Sequence, residues 1–239
     1  MQKLLQKSPL AFALFCIGIY VVGMSAADEA STFFGVEKSF SLAFSLLFSL
    51  LLLRITFKSS NARNFGLCRP VHAKAALYFV PLFVLCSINF WLGVQMNLGV
   101  LETVLYVCSM VCVGFLEEII FRAFLYRAME KDSPRAAVIV SSLTFGIGHV
   151  VNLLSGADLV PTLCQIVYAT VFGFVFVLLF SRTRSLLPCI AAHAFINATS
   201  AFAAEALHEG TALIVTSLVL AVGGALYALY LYRALPKEA

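Results

Sequence analysis

The sequence predicts an all-α polytopic membrane protein of about eight transmembrane helices. The chain is 62% hydrophobic and only 12% charged over 239 residues. A soluble domain is nearer half apolar and a quarter charged, so this chain could not solvate its own surface. Eight mostly apolar segments approach the ~20 residues needed to cross a bilayer as a helix: 8–27, 39–57, 73–94, 99–121, 135–154, 159–180, 185–204 and 211–232. The period-2 alternation of a membrane barrel is absent.

The first segment follows Lys3 and Lys7. Its run Leu10–Val22 and the small residues Ser25-Ala26-Ala27 also resemble a signal peptide with its cleavage site. Cleavage there would leave seven helices. The second and third segments are joined by Lys58–Pro70, the longest polar connection. The fourth carries Glu117, Glu118 and Arg122, and its apolar run continues through Phe124 and Leu125. Asp132-Ser133-Pro134 restarts the fifth, with Asp or Ser as N-cap and Pro in the first turn. Ser155-Gly156-Ala157-Asp158 is a turn before the sixth, and Pro188 lies near the start of the seventh. The short loops leave no room for a separate soluble domain. The whole chain, 1–239, reads as a single integral membrane domain.

Lys and Arg favour the cytoplasmic side. Alternating the eight segments puts fifteen of the sixteen basic residues on one side. They are Lys3 and Lys7; Arg54, Lys58, Arg63, Arg69 and Lys74; Arg122, Arg127, Lys131 and Arg135; Arg182 and Arg184; and Arg233 and Lys237. Lys38 alone falls on the other side, with Asp28, Glu29, Glu37, Asp158, Glu205 and Glu209. Both termini are therefore expected in the cytoplasm, with the protein integral to the cell membrane. The net charge of +4 is no nucleic-acid signature. Seven scattered cysteines suggest no disulfide framework. Cys108 and Cys112 share a helix face and could hold a metal, but small apolar packing residues are the simpler reading.

Ionisable groups in a membrane are costly and mark functional sites by default. The first three segments carry none deep in the span, which directs attention to about residues 100–200. Glu117 and Glu118 point about 100° apart on a helix. Glu118 and Arg122, at i, i+4, are spaced for an ion pair. That pairing leaves Glu117 free as a general base. The structural alternative is a wet helix end at the interface. His149 shares a face with Phe145, while Gly146 and Gly148 remove bulk beside it. A hydrogen-bonded packing histidine is the plainer reading of that residue alone. His193 and Asn197, also at i, i+4, project from one face among Ala191, Ala192, Ala194 and Ala198. Together they can donate to an oxyanion, or simply join two helices.

Depth is a joint test. Glu117 is about 15 Å of helix from Arg127, and His193 about 14 Å from Arg184. His149 is about 21 Å from Arg135, so the fifth helix must tilt or begin inside the cytoplasm for the groups to meet.

Taken in order, Glu117-Glu118-Ile119-Ile120-Phe121-Arg122, Phe145-Gly146-Ile147-Gly148-His149 and His193-Ala194-Phe195-Ile196-Asn197 resemble the CPBP family. These are the CAAX-protease and bacteriocin-processing membrane proteins, also called Abi. The resemblance spans about 100–200 and implies an intramembrane endopeptidase. Glu117 would activate a water with help from His149, and His193 and Asn197 would form the oxyanion hole. Glu118 and Arg122 would orient Glu117, with Phe145 in support. Cleavage is expected near the cytoplasmic face. Members of that family are described both as metalloproteases and as zinc-independent glutamate proteases, and no obligatory cofactor is expected here. Zinc is the alternative, with Glu117, His149 and His193 as three ligands and one open position. No His-Glu-x-x-His motif is present. The expected partners are a peptide or membrane-protein substrate and the lipid bilayer, not nucleic acid. Two other classes remain open: a non-catalytic membrane partner or immunity factor on the same fold, and a small proton-coupled transporter. The matched broken helices of a transporter are missing.

Overall fold

The computed structural model describes residues 1–58, 62–70, 77–207 and 209–234. Lys74, Lys237, the start of segment 73–94 and residues 59–61 of the polar connection lie outside them. The protein is an all-α integral membrane protein. Six of its described helices are long and apolar enough to cross a membrane, and two shorter apolar helices, Leu77–Phe90 and Leu187–Phe202, complete the set.

The helices follow local rules where the sequence is explicit. Helix α1, Pro9–Phe33, has Ser8 as N-cap, its side chain accepting from the Ala11 N–H at 3.4 Å, and Pro at its first turn. Next come α2, Ser39–Lys58, α3, Val80–Cys86, and α4, Val100–Glu130, whose first part Val100–Glu118 is regular α-helix. Helix α5, Pro134–Gly148, repeats the Ser-Pro start, Ser133 accepting from the Ala136 N–H at 3.4 Å. Then follow α6, Leu159–Thr183, α7, Leu187–Thr199, and α8, Gly210–Ala234. The turn before α6 is where the sequence puts it, with Gly156 at φ +86°.

Helix α1 is part of the bundle. Phe12, Ala13 and Cys16 are fully buried, and Phe12 packs edge-on against Phe124 with ring centroids 5.0 Å apart. Removal of residues up to Ala27 would take that wall away.

The fourth segment is longer than expected. It stays helical from Val100 to Glu130 rather than ending near 121. Arg122 misled the boundary, because it is fully buried inside the bundle and marks no interface. Arg127 pairs with Glu130 one turn on, at 3.0 Å. Glu130 also receives Arg184 Nη1 at 2.6 Å and the Tyr126 hydroxyl at 2.8 Å. This cluster ties α4's end to α6 at the end of the bundle holding the basic loops. Segment 62–70 closes the same end: the Leu186 N–H donates to Gly66 O at 2.8 Å and Ser185 Oγ to Cys68 O at 2.6 Å.

Candidate active site

Just after the two glutamates, α4 widens into a π-helix over Ile119–Tyr126, and all eight of these residues are buried. The π-helix is rare and recurs at functional sites, because it re-aims the side chains around it. One carbonyl in the widened stretch, Phe121 O, accepts from Ser141 Oγ on α5 at 2.7 Å.

Helices α4 and α7 approach closely beside this stretch. A Cβ on Gly114 would lie 2.6 Å from Ala194 N, so only glycine fits there. The approach brings His193 onto both glutamates. Its Nδ1 is 2.9 Å from Glu118 Oε1, and its Nε2 is 3.2 Å from Glu117 Oε2. Phe176 stacks on the imidazole at 5.4 Å, and Phe145 meets it edge-on at 5.6 Å.

The pair expected from helix spacing is present. Arg122 Nη1 lies 3.1 Å from Glu118 Oε1, and both side chains are fully buried. The guanidinium also sits over two rings, 4.2 Å from the Phe145 centroid and 5.2 Å from that of Phe176. A cation against aromatic faces gains further electrostatic stabilisation when desolvated. Phe145 thus touches Arg122, His193 and His149, whose ring is 5.6 Å away.

Glu117 is less free than the sequence suggests. Its Oε1 accepts from the Tyr20 hydroxyl of α1 at 2.6 Å, while His193 faces Oε2. It remains at the wall of a cavity of about 770 Å³, which His149, His193 and Asn197 also line. His149 follows the last residue of α5. The groups meet despite their unequal helix distances from the basic residues: Phe145 touches both histidine rings, and His149 lines the same cavity as Glu117 and His193. Asn197 accepts Ser200 Oγ on its backbone carbonyl at 2.6 Å.

Two departures from the sequence reading follow. His193 does not stand apart with Asn197 as a free oxyanion donor; both its ring nitrogens face carboxylates. The cavity also extends away from the basic loops, with Asp28, Lys38, Asp158 and Glu209 among its lining.

Tyr20 was missed because a tyrosine hydroxyl is no charge. Its position was the available signal: tyrosines gather at membrane interfaces, and one inside a span needs a polar partner. Phe176 carried no signal at all. Gly146 serves helix packing, since a Cβ there would meet the Thr170 backbone at 2.7 Å, whereas Gly148 lines the cavity.

The proposed zinc set fits poorly. Among the described residues no group of three His, Cys, Asp or Glu side chains is arranged to hold a metal. A metal on His193 would have to displace one of its two carboxylate contacts.

Residues 99–199 match the family model described as Type II CAAX prenyl endopeptidase Rce1-like. No curated protein matches the chain.

Proposed function

We propose, from the Rce1-like character of residues 99–199 and the geometry around Glu117, that the protein is an intramembrane endopeptidase of the CPBP family. One observation carries this reading. Glu117 sits at the wall of a large cavity, held by Tyr20 and His193, and His149 and Asn197 line the same cavity.

The chemistry follows from those positions. A water reaching the cavity floor loses a proton to Glu117 as its oxygen attacks the scissile carbonyl carbon; His149 holds that water from the cavity side. The carbonyl oxygen becomes an oxyanion and accepts from Asn197 Nδ2. Preorganised donors aimed at such an oxygen supply about 2.7–4 kcal/mol each in acyl-transfer enzymes. His193, held by Glu118 at Nδ1, keeps its Nε2 on Glu117 and steadies that carboxylate as it takes the water's proton. Collapse breaks the C–N bond, and Glu117 returns the proton to the leaving amine. Glu118 and Arg122 hold His193 and touch no substrate. No step needs a metal. Both termini lie in the cytoplasm in this reading, by the distribution of Lys and Arg.

The test uses the purified full chain in detergent, with fluorescently labelled casein as an unfolded probe and a metal chelator present. Wild type should cleave it, and Glu117→Gln should be inactive with an unchanged elution profile and unfolding midpoint. Equal cleavage by both proteins would remove Glu117 from the mechanism. Cleavage by neither, combined with full complementation of a host deletion by Glu117→Gln, would leave a non-catalytic partner.

A further inference from the structure

Among the described residues the cavity is a funnel toward the acidic loops, since its lining lies in that half of the bundle. On α4 its wall runs through Tyr106, Met110, Val113, Glu117 and Phe121, and on α8 through Glu209, Leu213, Thr216 and Leu220. Both helices enter from the acidic end, and the lining stops near their middles. Helix α6 repeats this, from Asp158 through Gln165 to Phe176. Past that floor come the wholly buried π-helix, the cluster of Glu130 with Arg184 and Arg127, and segment 62–70. At the mouth Lys38 and Asp28 form an ion pair at 2.7 Å.

Lys38 is also the one Lys or Arg that the alternation of segments puts at that end. Apart from the buried Arg122, the other described basic residues, Lys3, Lys7, Arg54, Lys58, Arg63, Arg69, Arg127, Lys131, Arg135, Arg182, Arg184 and Arg233, belong to the other. Basic loops stay in the cytoplasm. The funnel mouth then faces out of the cytoplasm, and the sealed end faces in.

We infer that the substrate is an extended polypeptide segment presented from the extracytoplasmic side, rather than a lipidated tail presented from the cytoplasm. This rests on the peptidase reading above. From Tyr106 at the wall to Glu117 is about 17 Å of helix. A strand covers about 3.3 Å per residue, so about five residues must thread inward before a peptide bond reaches Glu117. A folded domain cannot do so. The free tail or an unfolded loop of an exported or membrane-anchored protein can. Polar side chains along the way, among them Asn89, Asn152, Gln165 and Ser200, offer partners to its backbone and keep the path wet.

Two measurements test this separately from the peptidase reading. The first is labelling of intact bacterial cells expressing the full chain with a membrane-impermeant maleimide. Ser155→Cys, at the mouth, should label in intact cells, and Lys131→Cys, at the sealed end, only after permeabilisation, each against the wild-type background of native cysteines. The reverse pattern overturns the inference whether or not the protein is a protease. The second compares labelled casein in detergent, in right-side-out vesicles and in inside-out vesicles, with Glu117→Gln as the blank. Cleavage in detergent and right-side-out vesicles, with loss of cleavage in inside-out ones, is expected. Cleavage in detergent with none in right-side-out vesicles overturns the inference and spares the peptidase. Absence of cleavage in detergent overturns the peptidase and the substrate class with it, and the maleimide pattern still decides which way the funnel faces.

Discussion

Tyr20→Phe removes a single oxygen from the helix that sequence reasoning left out of the site. The hydroxyl donates to Glu117 Oε1 at 2.6 Å, a short bond to a carboxylate. Hydrogen bonds to charged groups contribute about 1.5–3 kcal/mol. If all of that orients the base, cleavage falls by roughly 10- to 150-fold, at 1.36 kcal/mol per factor of ten. Glu117 keeps a second anchor, since His193 Nε2 stays 3.2 Å from its other oxygen. The lower end, a loss of about tenfold, is therefore expected. The assay is kcat and KM for labelled casein with the purified full chain, beside its thermal unfolding. The loss should fall on kcat, because the hydroxyl aims the base and adds no binding surface for a peptide. Phe keeps the ring volume and opens no cavity, so the unfolding midpoint should fall by no more than the lost hydrogen bond accounts for. A kcat equal to wild type in a protein of unchanged stability would refute the idea that α1 aims Glu117.

Two further predictions concern the frame around the site. Arg122→Ala leaves Glu118 fully buried without its cation, and such a break costs about 3–5 kcal/mol, read as a lower unfolding midpoint in detergent. The double variant Glu118→Gln/Arg122→Met buries no charge and should recover much of that stability but not cleavage; a single variant as stable as wild type would sink the argument. Gly114→Val forces two methyl groups against the α7 backbone at Ala194. Overpacking of this kind costs about 1–3 kcal/mol, and by moving His193 off the glutamates it should lower cleavage more than Tyr20→Phe does. Full activity in Gly114→Val would show that the close approach of α4 and α7 is not needed.

Much of this was legible because membrane sequences state their polar residues sparingly. In a chain only 12% charged, Glu117, Glu118 and Arg122 inside one span had to pair or react, and the i, i+4 rule named which two would pair. The Ser133-Pro134 start of α5 and the turn at Gly156 were likewise written in local chemistry. What stayed hidden was tertiary. Nothing in Ile119–Tyr126 distinguishes a π-helix from an α-helix, because the hydrogen-bond shift is decided by partners such as Ser141 on another helix. The length of α4 was misjudged for a related reason. Arg122 looks like an interfacial charge until Glu118, Phe145 and Phe176 are seen around it. The direction in which the funnel points could not be read at all, since its lining is assembled from helices distant in sequence.

The two adjacent glutamates mark the boundary between wet and dry protein. On the acidic side of Glu117, α4 shows Tyr106, Met110 and Val113 to the cavity. On the other side the residues from Ile119 to Tyr126 are buried, and Phe121 alone among them still lines the cavity. A buried carboxylate needs fixed partners, because an isolated charge in low dielectric is strongly unfavourable. Glu118 lies on the dry side and has two, Arg122 and His193. Glu117 lies at the boundary, with Tyr20 and His193 as partners and the cavity beside it. A water must reach a base that is itself held still, and a wholly wet or wholly dry helix provides one condition without the other. One residue step, about 100° of rotation, separates the two environments, and His193 spans that step with one ring nitrogen on each carboxylate. Exchanging the pair's roles by moving the charge is therefore not neutral: Glu118→Gln should disturb catalysis through His193, whereas Glu117→Gln should stop it at the water.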